Sequence, residues 1–306
     1  MPRGGRRGST LRDPVLIPTE IETPAASAPR NIAATVGRVV AFVAFLLACS
    51  AGAYWFITPP LIWLARQTDY VIRVDFYAQL VAALAATAIM LRSIDRRPWA
   101  DVGLSREAAR VRPMLAGWSV GTGANAFTCL VLLAAGLLIV VPNTDDGGWI
   151  GAAFRVTLVL LPAALAEEVI CRGYLLTVIR DSVGARAAVV LTSVLFGLLH
   201  LKNPGATLAS VLVVTLSGLL LATVRIKLNS LYAAWMAHFA WNWTMAVPFH
   251  ASVSGIRFEA PGYRVVALEP AWLSGGDWGP EGGLIAAFGM LFGLAYFYTR
   301  HRREES

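Results

Sequence analysis

Apolar windows separated by short polar connections run along most of this chain. Those able to cross about 30 Å of hydrocarbon at about 1.5 Å per residue extend from Val39 to Trp63, Val74 to Leu91, Met114 to Val141 and Trp149 to Ala166. Four more run from Ala187 to His200, Thr207 to Val224, Leu231 to Pro248 and Gly283 to Thr299. The pattern predicts an all-α, polytopic transmembrane bundle of about eight spans. It divides the chain into a disordered basic tail over 1–38, three transmembrane helices over 39–148 and a core of four helices over 149–249. An extracytoplasmic loop over 250–282 and a last helix with a basic tail over 283–306 complete it. The tail is read as disordered because Pro14, Pro18, Pro24 and Pro29 break any helical period.

Composition agrees with lipid as the main solvent. Of the 306 residues 57% are hydrophobic and 15% charged, with a mean hydropathy of +0.60, outside the range of soluble domains. The net charge of +7 does not point to nucleic acid, because the basic residues sit between apolar runs and form no patch with interleaved aromatics. With the N-terminus inside, 20 of the 26 Lys and Arg residues fall in inner segments, as the positive-inside rule requires. The expectation is an integral protein of the cell membrane with both termini cytoplasmic. Cys49, Cys129 and Cys171 show no pairing pattern.

Three polar sites interrupt the apolar windows. The fourth window ends in Glu167, Glu168 and, four residues later, Arg172. A charge near mid-bilayer costs about 2.5–3.5 kcal/mol, whereas each Leu or Ile returns only about 0.3–0.6 kcal/mol, so these side chains need shelter. Glu168 and Arg172 share a helical face and can pair, while Glu167, about 100° away, points elsewhere. Taken alone, the segment also reads as an amphipathic extension facing water. The fifth window closes on His200, one turn after Phe196, and the seventh carries His238 and Asn242 one turn apart. Glu167 and His200 lie 17 and 16 residues from a turn at Gly184, so an antiparallel pair of helices sets them level, about 25 Å from the tip. A single His–Asn pair reads as interhelical glue. Three polar sites on three spans at one depth read as a functional site.

These residues resemble the CPBP family, which comprises type II CAAX prenyl proteases and bacteriocin-processing (Abi) proteins. The family signature places Glu-Glu-x-x-x-Arg, Phe-x-x-x-His and His-x-x-x-Asn on separate transmembrane helices, here Glu167-Glu168-x-x-x-Arg172, Phe196-x-x-x-His200 and His238-x-x-x-Asn242. The resemblance implies a glutamate-dependent intramembrane endopeptidase acting on a membrane-associated peptide or protein. Glu167 is then the general base, and His200 its partner in holding the water. His238 with Asn242 donates to the oxyanion, and Glu168 with Arg172 forms a buried pair. No cofactor is favoured; the competing scheme makes Glu167, His200 and His238 a zinc site. The alternative function is a catalytically silent immunity or partner-binding protein of the same fold, and its discriminating feature, a lost catalytic residue, is absent.

Overall fold

A computed structural model describes residues 31–66, 73–145 and 147–305; the expected tail as far as residue 30 lies outside them. Helix α1 (Ile32–Phe56) begins earlier than the Val39 expected, because Asn31 caps it by accepting a hydrogen bond from the Ala34 amide at 2.9 Å. Residues 32–38 therefore belong to the helix and not to the tail. The first apolar window breaks at Ile57, and Pro59 falls in the first turn of α2 (Thr58–Ala65), where a missing N–H costs no helical bond.

Helix α3 (Val74–Ile89) runs into a π-helical turn over Met90–Asp95. Helix α4 (Val111–Ala134) stops short of the expected Val141. Gly136 turns the chain at φ 69°, and strand β1 (Leu138–Asn143) pairs antiparallel with β2 (Gly262–Ala267). The β-branched run Ile139-Val140-Val141 is apolar enough for a span, and its distant partner decides in favour of a strand.

The core over 149–249 starts with α5 (Trp149–Glu168), which continues through a π-helical turn (Val169–Leu175) into α6 (Leu176–Val183). Gly184, at φ 92°, turns the chain into α7 (Ala185–Leu199), followed by α8 (Leu208–Lys227) and α9 (Leu231–Ala246). A short α10 (Ala271–Ser274) and a terminal α11 (Leu284–Glu305) follow β2. Every expected window carries a helix. Among the described residues six helices are long and apolar enough to cross a membrane; α9, with 16 residues, and the apolar part of α11, Leu284–Ala295, are shorter.

Helices approach each other closely where small residues face a neighbouring backbone, as expected for association in lipid. A Cβ on Gly117 or Gly121 of α4 would fall 2.0 Å from the carbonyl oxygen of Ala233 or Ala237 on α9. The two contacts ascend together, so α4 and α9 run parallel. Gly121→Ala is expected to push α9 away and to lower stability by about 1–3 kcal/mol, the usual cost of overpacking, measurable as a fall in thermal midpoint in detergent.

Candidate active site

Pro162 lies inside α5 and has no N–H to offer the carbonyl of Leu158. That carbonyl accepts instead from the Tyr77 hydroxyl on α3 at 2.8 Å. The Trp235 indole N–H on α9 donates to the Leu161 carbonyl at 2.9 Å, and the Trp243 indole N–H to the Thr157 hydroxyl at 2.9 Å. The segment leading to the two glutamates is thus fixed to α3 and α9 by bonds that Tyr77, Trp235 and Trp243 donate. Directly after Glu168 the helix widens into its π turn, where Gly173 leaves helical geometry (φ −81°, ψ −105°). The Gly173 carbonyl accepts from the Leu176 N–H and also from the Thr177 hydroxyl, the latter at 2.8 Å. Such π turns recur at functional sites because they redirect side chains within one helix.

Glu167, Glu168, Arg172, His200 and His238 meet at this turn, and Asn242 lines the cavity beside the two histidines. Glu168 and Arg172 are fully buried and form the expected ion pair, Arg172 Nη1 to Glu168 Oε1 at 3.1 Å. Arg172 also donates to the Gly218 carbonyl at 3.2 Å and stacks over the Phe196 ring at 4.1 Å. Phe196 in turn packs against both His200 (ring centroids 4.7 Å) and His238 (5.7 Å). The aromatic residue of the second motif thus seats the arginine and both imidazoles.

Both histidines are oriented through Nδ1. A carbonyl or carboxylate can only accept, so His200 Nδ1–H donates to the Phe196 carbonyl at 2.7 Å and His238 Nδ1–H to Glu168 Oε1 at 2.9 Å. Glu168 therefore does more than balance Arg172: it also aims His238, a role that helical spacing alone does not reveal. Each Nε2 then lies 3.9 Å from Glu167 Oε2, and that oxygen is buried without a hydrogen-bond partner among the described residues.

Phe196, His200, His238 and Asn242 line a cavity of about 30 Å³ together with Ser217, Trp241 and Glu281. A space of that size holds a water molecule. Trp241, Glu281 and the nearby Trp278, whose ring lies 6.3 Å from His200, were not anticipated. Trp241 is an unspecified position inside the His238-x-x-x-Asn242 motif, Trp278 and Glu281 sit in no motif, and Glu281 comes from the expected outer loop.

Donor separations test the zinc scheme. Edges of 3.9 Å from Glu167 Oε2 to both Nε2 atoms exceed the about 3.4 Å edge of a tetrahedral zinc shell. Among the described residues no group of three or more His, Cys, Asp or Glu is arranged to hold a metal. As placed, the two donor separations are about 0.5 Å wider than such a shell, and the Nδ1 bonds of His200 and His238 suit either scheme.

Residues 149–244 match the family described as type II CAAX prenyl endopeptidase Rce1-like. The matched segment contains all three motifs and ends before Glu281. No curated protein matches the chain.

Proposed function

We propose that this integral membrane protein, whose residues 149–244 belong to the Rce1-like, CPBP family, is an intramembrane endopeptidase that hydrolyses peptide bonds with a glutamate-activated water. One observation carries this reading: Glu167 Oε2, without a hydrogen-bond partner among the described residues, stands 3.9 Å from each of two imidazole nitrogens. One water bridges such gaps, with one hydrogen towards Glu167 and the other towards an imidazole lone pair. Glu167 takes a proton as the water oxygen bonds to the substrate carbonyl carbon. The resulting oxyanion receives the Asn242 amide N–H and, from the imidazolium form of His238, an Nε2–H. Collapse breaks the C–N bond, and the proton held by Glu167 passes to the departing amine. The substrate is a membrane-associated peptide or protein in the lipid bilayer.

His200→Ala is expected to abolish cleavage of a panel of quenched peptides, farnesylated and unprenylated, while the protein stays folded. Retained turnover in folded His200→Ala would refute the water-holding assignment. A strong chelator should leave turnover within about twofold of the untreated level, since the general-base route draws its driving force from Glu167. Loss of activity that stoichiometric zinc restores would replace this route by a metal one.

Both termini are proposed to be cytoplasmic, on the partition of Lys and Arg. A cysteine placed by Ser306→Cys should resist an impermeant thiol reagent in intact cells, and ready labelling would reverse the orientation.

A further inference from the structure

The segment after β2 does not stay outside the bundle. It folds inward as two short 3₁₀ turns, Gly276–Trp278 and Pro280–Gly282, with Trp278 1% and Glu281 6% exposed. Glycines permit the approach. At Gly279 (φ 113°) a Cβ would lie 2.0 Å from the Ser252 carbonyl oxygen, and at Gly282 one would lie 2.6 Å from the Trp278 ring. The Gly255 N–H donates to the Trp278 carbonyl at 2.8 Å, and the Asn203 side chain donates to the Ser254 carbonyl at 3.2 Å. The turn carrying Asn203 follows His200 directly, so this inward strap grips the end of α7 that presents His200.

At its centre is a buried carboxylate. Glu281 Oε1 accepts from both the Ser254 amide (2.6 Å) and the Ser254 hydroxyl (2.7 Å), and Oε2 accepts from the Trp241 indole N–H at 2.9 Å. Three donors converge on two acceptor atoms, an arrangement that a carboxylate satisfies and an amide does not, because the amide nitrogen would face a donor. Trp241 precedes Asn242 on α9, and Glu281 itself lines the cavity with His200, His238 and Asn242.

We propose that Glu281 is a positioning residue of this centre: it fixes Trp241, and through it Asn242, while holding the Trp278 strap against His200. The inference rests on the peptidase reading for its catalytic consequence but not for its structural one. Glu281 lies beyond the residues that match the family, and among the described residues its hydrogen bonds go to Trp241 and Ser254.

The test uses full-length protein in nanodiscs with Glu281→Gln, Trp241→Phe and the double substitution. The first readout is independent of activity: the rate at which diethyl pyrocarbonate modifies His200, followed by peptide mass spectrometry. The second is kcat and KM on whichever quenched peptide the wild type cleaves. Glu281→Gln is expected to raise the labelling rate and to lower kcat, each about tenfold, with KM unchanged, the scale of one lost charge-assisted hydrogen bond. The double substitution should be no worse than Glu281→Gln alone, because both remove the same link. Labelling and kcat both at wild-type levels in Glu281→Gln, or losses that multiply in the double variant, overturn the proposal. So does a lowered thermal midpoint with unchanged kcat per folded molecule, which would make the residue merely structural. If Glu281→Gln does not fold, Trp241→Phe carries the decision, since it leaves both Ser254 bonds in place; wild-type labelling and kcat there overturn the proposal. Should the wild type cleave no peptide, the peptidase reading falls, and the labelling rate alone upholds or overturns the role of Glu281.

Discussion

Glu167→Gln is expected to lose turnover by about 10²–10⁴-fold, the usual contribution of a positioned general base, while its stability stays within about 0.5 kcal/mol of the wild type. The two halves of this expectation share one cause. The buried Glu167 Oε2 has no hydrogen-bond partner among the described residues, so replacing the carboxylate by an amide breaks no bond seen in the fold. It does remove the carboxylate oxygen placed 3.9 Å from both Nε2 atoms. Parallel measurement of peptide turnover and thermal midpoint checks both halves, and a large fall in midpoint would show that Glu167 is structural.

Glu168→Ala should behave in the opposite way. It leaves the fully buried Arg172 guanidinium without its carboxylate, and removing one partner of a buried ion pair costs about 3–5 kcal/mol. It also releases His238 Nδ1, so activity falls even in the molecules that remain folded. A paired change separates these effects. Glu168→Gln with Arg172→Met takes away both buried charges and should recover much of the lost stability, because no uncompensated charge is then left buried. Activity should not recover, since an amide in place of Glu168 no longer supplies the negative charge that supports the imidazolium form of His238 as oxyanion donor. Equal recovery of stability and turnover would show that Glu168 serves Arg172 alone.

Much of the centre was legible because its parts obey local rules. Glu168 and Arg172 pair across one helical turn, as spacing alone requires. Nearly equal distances from the Gly184 turn, 17 and 16 residues, anticipated that Glu167 meets His200, and the 3.9 Å contact agrees. That argument assumed straight helices; the π turn over Val169–Leu175 and the kink at Gly173 do not prevent the meeting. What stayed hidden depends on contacts between distant segments. Glu168 was expected to face Arg172 only, and its bond to His238 requires α9 to lie against α5, an approach that the Trp235 and Trp243 indole bonds to Leu161 and Thr157 secure. Strand β1 looked like the end of a span because Val140 and Val141 suit either structure, and only β2 decides. Glu281 carries no motif, and its hydrogen-bond partners Trp241 and Ser254 lie on other segments, so its burial could not be read from the local sequence of a loop.

Hydrolysis of peptide bonds by water taken up at Glu167 is the central claim. It is tested most directly by incubating wild-type and Glu167→Gln protein with the quenched-peptide panel in ¹⁸O-labelled water and reading the products by mass spectrometry. The wild type should generate new carboxyl termini that each carry one labelled oxygen, and Glu167→Gln should generate none above background. Cleavage by both proteins at equal rates, or intact peptides with both, would contradict the account.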